Sequence, residues 1–232
     1  MKKTVLLLAV ILTGLSSAFA QDNCSKYYPL VEGSSLGYTF YNKKGKVDGQ
    51  TNYSVSNVNN EEGQTSATFT MNFTDSKGKN NFSSEYAISC TGTGIKIDHM
   101  SILPTQMMSQ YEDMDVEMDI TGTDIELPND LSVGQELADA KVTCKMNMSG
   151  INMNIEVEQV DRKVEKKETI TTPAGTFDCY VLNETTKSKT MGVNIQIHSK
   201  TWLAEGVGMI KSETYKKNGN LESRSELTEY SK

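Results

Sequence analysis

The sequence predicts a mainly β fold: a single large, strongly curved antiparallel sheet, a half-barrel-like meander, with one or two short helices. Three observations predict it. Apolar and polar residues alternate along most of the chain, glycine-containing turns separate the alternating segments, and no segment longer than residues 103–111 keeps a 3.6-residue apolar period.

Residues 1–20 read as a secretory signal peptide. Lys2 and Lys3 give a positive start, an apolar stretch covers residues 5–15, and Ala18-Phe19-Ala20 puts small residues at the cleavage positions, so the mature chain is expected to begin at Gln21. That stretch is too short for a comfortable span, and no later run approaches the ~20 apolar residues a spanning helix needs. The expected destination is the periplasm or the cell surface. Cys24 lies close enough to the cut to raise a lipid anchor, but Gln21-Asp22-Asn23 lack the leucine and small residues of a lipoprotein signal.

Three hairpins follow from their turns. Residues 37–41 and 47–58 flank Lys43-Lys44-Gly45-Lys46, residues 65–73 and 82–90 flank Ser76-Lys77-Gly78-Lys79, and residues 208–215 and 221–230 flank Lys216-Lys217-Asn218-Gly219. Residues 103–111, with Pro104 suited to a first helical turn, look locally helical. Next, Met114, Val116, Met118 and Ile120 alternate with Asp115, Glu117 and Asp119, as a half-buried strand requires. Val142, Cys144, Met146 and Met148 repeat the pattern, and after Ser149-Gly150 it returns in Ile151, Met153, Ile155 and Val157 as a further hairpin. Leu127-Pro128-Asn129-Asp130 is a weak break between similar strands, so residues 21–232 are read as a single β domain. Residues 171–180 read as a fixed bend entering a strand, and residues 202–211 as a glycine turn or bulge anchored by the single tryptophan, Trp202.

Composition narrows the function. The net charge is −7, and removal of Lys2 and Lys3 leaves 21 basic against 30 acidic residues, or −9, which excludes a basic footprint for nucleic acid or anionic lipid head groups. The four cysteines, Cys24, Cys90, Cys144 and Cys179, contain no Cys-x-x-Cys pair and would meet an oxidising compartment after export. Cys24 with Cys90 and Cys144 with Cys179 is the expected pairing, because each pair stays inside one half of the chain.

No motif points to catalysis. His99 and His198 each stand alone, which leaves a hydrolase without recognisable motif as the third reading; no catalytic residue and no cofactor is expected. Glu112, Asp113, Asp115, Glu117, Asp119, Asp124 and Glu126 could supply calcium ligands, but carboxylates alternating along a strand fit a solvated face. Methionines crowd the second half of the chain. They admit copper(I) ligation, yet their alternation with polar residues favours an ordinary core or an adaptable apolar-ligand cavity.

Thr172-Pro173-Ala174-Gly175-Thr176-Phe177, with Cys179-Tyr180, is followed by Trp202, Ala204 and Gly206-Val207-Gly208, then Ile210-Lys211 and Glu213. Together with Cys24-Ser25-Lys26-Tyr27-Tyr28-Pro29-Leu30 and Arg162-Lys163-Val164, these motifs resemble the Bacteroidetes envelope proteins of the domain-of-unknown-function family 3108-like (DUF3108-like, also called TapB-like). The resemblance spans nearly the whole mature chain. It implies a curved antiparallel sheet in the periplasm or at the surface, without established enzymatic activity, and a shape similar to half-barrel carriers that hold acyl chains.

The leading expectation is a non-enzymatic protein whose concave face, lined by Met114, Val116, Met118, Met146, Met148, Met153 and Ile155, accepts an apolar ligand such as a lipid or lipoprotein acyl chain. The competing expectation is a structural or interaction protein of the envelope that meets a protein or glycan partner.

Overall fold

The computed structural model describes residues 24–61, 63–79, 81–103, 117–148, 151–190 and 192–232. The signal peptide, the Ser149-Gly150 turn, Met107, Met108, Met114, Val116 and Met191, the carboxylates Glu112, Asp113 and Asp115, and all but Leu103 of the expected helix lie outside them. Among the described residues one turn of 3-10 helix, His99–Ile102, interrupts thirteen strands.

The strands are β1 (Ser35–Asn42), β2 (Val47–Glu61), β3 (Gln64–Asp75), β4 (Asn81–Cys90), β5 (Gly94–Ile97), β6 (Glu117–Thr123), β7 (Ile125–Pro128), β8 (Ala140–Met148), β9 (Ile151–Thr172), β10 (Gly175–Thr190), β11 (Val193–Ala204), β12 (Gly208–Tyr215) and β13 (Leu221–Ser231). They form one antiparallel sheet in the order β6-β8-β9-β10-β11-β12-β13-β1-β2-β3-β4-β5-β7. The three hairpins with lysine-and-glycine turns are present, and β8 pairs with β9 as the fourth; the amide of Gly219, at φ 81°, closes on the carbonyl of Lys216 at 2.8 Å, a conformation glycine adopts without a Cβ clash. At Leu127-Pro128 the chain is part of β7, which pairs with β5.

The two ends of the sheet order, β6 and β7, are consecutive in the chain and separated only by Asp124. The sheet therefore curls until it is nearly closed, barrel-like, with a seam that the chain itself crosses. Bulges supply the extra twist. Asn57 (φ 53°) and Asp161 (φ 56°) sit where the registers of β2 with β3 and of β9 with β10 slip, and short polar side chains of this kind tolerate the left-handed conformation best. The bulge at Asp161 also changes which residues of β9 point inward. Ile155 and Val157 are buried before it, Arg162 and Val164 after it.

That switch places Arg162 at the seam. Its guanidinium donates to the carbonyls of Ala138 and, at 3.3 Å, Glu126 of β7. Beside it the segment leading into β8 pairs with β9: Leu137 N donates to Arg162 O at 2.9 Å and Val164 N to Gln135 O at 2.9 Å. Asn129 closes the corner, its amide donating to the carbonyls of Cys24 at 2.7 Å and Gly92 at 3.1 Å while its oxygen accepts from Lys26 N.

Apolar side chains fill both faces of the sheet. Val181 and Leu182 are adjacent on β10 and so point oppositely; Leu182 joins a cluster with Tyr27, Phe69, Ile88 and Leu203, and Val181 one with Leu36, Tyr38, Trp202 and Ile210. A third cluster holds Leu103, Val142, Cys144, Met146, Ile155 and Val157. Cys24 and Cys90 form the expected disulfide, tying the N-terminal segment to β4. Cys144 and Cys179 do not pair; both are free and buried in different clusters. Their partners on β9, Ile155 and Glu168, are thirteen positions apart, roughly 40 Å of strand at about 3.3 Å per residue, whereas a disulfide needs Cα atoms within about 7 Å.

Trp202 anchors the second cluster as expected, and its indole N–H donates to Glu168 at 2.8 Å. That bond, with a second from Lys166, holds the Glu168 carboxyl below its ordinary value of 4.5. A depressed carboxyl stabilises the fold above the ordinary range and loses that contribution as pH falls through its folded value. Emission from the single tryptophan is accordingly expected to shift with a midpoint below pH 4.5, and the step is expected to be absent in Glu168→Gln. Replacing Arg162 by Met strands the carbonyls of Glu126 and Ala138 and is expected to cost about 3 kcal/mol in urea unfolding. Removing the disulfide in a Cys24→Ser, Cys90→Ala double variant is expected to cost about 2–4 kcal/mol by the same measurement.

Candidate functional site

Directly paired residues of neighbouring strands share a face, so the register states what the inner face carries. One row is Met118, Met146, Met153; the next Ile120, Cys144, Ile155, Thr190, Val193; the next Gly122, Val142, Val157, Ser188, Ile195; and the next Ala140, Gln159, Thr186, Ile197. Farther along β10 and β11 the same face carries Glu184 with Ser199 and Tyr180 with Leu203. Of the residues expected to line it, Met118, Met146, Met153 and Ile155 are brought together. Met148 lies on β8, while its side chain, like all of Met114 and Val116, falls outside the described residues.

Burial divides this face. Met146 (3% exposed) and Ile155 (1%) are covered, with Val142 and Val157, by the cluster that includes Leu103 and Ile102. Met118 and Met153 are only partly covered. On β11, Val193 (61%), Ile195 (53%) and Ile197 are exposed. Among the described residues the face is thus a packed core near β8 and β9, with an exposed apolar strip on β11 beyond the Thr and Ser side chains of β10.

Between this strip and the main core lies a polar belt. Ser199 donates to Glu184 at 3.3 Å, and Nε of Arg162 lies 3.7 Å from the Glu184 carboxylate. Burial raises the Glu184 carboxyl above its ordinary value against the pull of Arg162, and burial lowers the Arg162 guanidinium. Two buried atoms of the belt, Nε of Arg162 and Oε1 of Gln159, have no hydrogen-bond partner among the described residues.

The histidines differ from the expectation that each stands alone. His198 meets Thr185 at 3.1 Å across β10 and β11. His99 is joined to Asp124, 25 residues away, through its Nδ1 at 2.9 Å and its backbone N–H at 3.1 Å. That bonding lowers the Asp124 carboxyl. No spacing in the sequence signals it, because the contact exists only once β5 has paired with β7. The described carboxylates of the acidic run are spread apart: Glu117 and Asp119 lie on the face of β6 opposite Met118, and Glu126 pairs with Lys96 at 3.1 Å. Cys144 and Cys179 are held as thiols, with burial pushing the Cys179 thiol up to about 12. Among the described residues no helix is long and apolar enough to cross a membrane.

Two solved structures share this fold. One, from Bacteroides fragilis, is described as an exported protein with a YmcC-like fold; it matches at TM-score 0.72 and 23% identity over 90% of this chain and 100% of its own. The other, from Parabacteroides distasonis, is described as a lipoprotein and matches at TM-score 0.72 and 23% identity over 89% of this chain and 99% of its own. At such identity the likeness is one of fold. No curated protein matches the chain. The DUF3108-like family model matches residues 31–227, across twelve complete strands and nearly all of the seam residues described above, and the chain belongs to the DUF3108-like family.

Proposed function

We propose that this protein is a non-enzymatic envelope protein, exported by residues 1–20, that binds an apolar ligand, a lipid or lipoprotein acyl chain, along the open part of the inner face. The observation that carries the reading is that on one face of the sheet Val142, Ile155 and Val157 are covered, whereas Val193, Ile195 and Ile197 are exposed among the described residues. Burying an exposed Val or Ile side chain is worth about 1.5–3 kcal/mol, so Val193, Ile195 and Ile197 together reward any apolar chain laid across them. Met118 and Met153, unbranched and polarizable, adapt to chains of differing shape at the edge of the covered part. The polar belt at Glu184 and Ser199 ends the strip, so an acyl chain would lie between the belt and the sheet rim. The exported protein and the lipoprotein that share the fold support an envelope location.

Native mass spectrometry with lipid extraction, on protein purified from its own envelope without detergent, is expected to find a stoichiometric lipid. Binding of cis-parinaric acid is expected to weaken at least tenfold in an Ile195→Asn, Ile197→Asn double variant, both positions being exposed enough to leave the fold intact. A lipid-free protein that also ignores the probe overturns the reading and favours a protein partner on the same strip.

A further inference from the structure

We propose that Asp98, His99 and Asp124 bind a divalent cation of the zinc or manganese class at the corner where the chain crosses the seam. The reading is independent of the apolar ligand. The three donor atoms lie within 4.8 Å of one another. Nδ1 of His99 is 2.9 Å from Oδ1 of Asp124 and 3.5 Å from Oδ1 of Asp98. Donors held about 2.0–2.2 Å from a tetrahedral or octahedral ion stand about 3 Å apart, so an ion takes the place of the proton between His99 and Asp124 with little movement of either side chain.

The donors are also aimed. Met100 N–H donates to Oδ1 of Asp98 at 2.8 Å, and His99 N–H to Oδ1 of Asp124, outer bonds of the kind that orient metal-ligating carboxylates. The imidazole lies against Gly122, where a Cβ would stand 2.8 Å from His99 Cδ2. Any other residue there would displace the ring. An open cleft of about 490 Å³, reaching Thr123 and Asp139, leaves room for waters to complete the coordination shell.

Charge and donor type select the ion. Asp98 and Asp124 bring two negative charges, which a dication would balance; the nearby Lys96 is paired with Glu126. One imidazole with two carboxylates suits borderline ions; calcium and magnesium prefer all-oxygen shells, and copper(I) prefers sulfur. Because Asp98 and His99 follow β5 while Asp124 joins β6 to β7, the ion would clasp the seam and stabilise the folded chain by linkage.

Calorimetric titration of the metal-stripped mature chain with zinc chloride tests this. One zinc per chain is expected, with affinity falling at least tenfold in His99→Gln and in Asp98→Asn, each checked for folding by circular dichroism. Cobalt(II) absorption is expected to lose its imidazole-dependent band in His99→Gln, and zinc is expected to raise the melting temperature of the unsubstituted chain alone. Absence of stoichiometric binding overturns the proposal, as does binding whose affinity His99→Gln leaves unchanged, since the ion would then rest on other donors.

Discussion

The guanidinium of Arg162, its side chain 4% exposed, donates to the carbonyls of Glu126 and Ala138 and so joins β9 to the strand that ends the sheet on its far side. A full ladder cannot do this, because the end strands β6 and β7 are consecutive in the chain and separated by one residue. Carbonyls left bare in a closed interior cost about 1–3 kcal/mol each. A side chain with five fixed donors satisfies several at once. Asn129 does the same at the neighbouring corner with a smaller set of donors and acceptors.

Arg162 reaches the seam only because of the bulge at Asp161. Without that extra residue, the odd-numbered positions that face inward at Ile155 and Val157 would continue to do so at 161 and 163, and Arg162 and Val164 would face solvent. One residue in the left-handed conformation therefore decides both the closure and the polar belt. Arg162 brings a charge inside, and Glu184 and Ser199 gather beside it. The belt then separates the main core around Leu203 from the apolar residues toward the rim, which leaves the second set short of neighbours.

Much of this was legible in the residues. Hairpin turns are local, so Gly45, Gly78 and Gly219 announced three of them; alternation is local, so Met118, Met146, Met153 and Ile155 were placed on one face. Pairings that depend on where strands lie relative to one another were not legible. Cys144 and Cys179 are 35 positions apart in sequence, yet strand register sets them at distant places along β9. His99 and Asp124 meet for the opposite reason, since the pairing of β5 with β7 brings together segments that no motif connects. Arg162 stood out only within a family-like tripeptide, and its inward turn required the bulge.

The 3-10 turn His99–Ile102 ties these features together. At its start, Asp98 and His99 are held against Asp124 and Gly122; at its end, Leu103 covers Val142 and Ile155 on the inner face. The turn therefore joins the polar contacts of the seam corner to the covered part of the inner face, so that one four-residue element serves both.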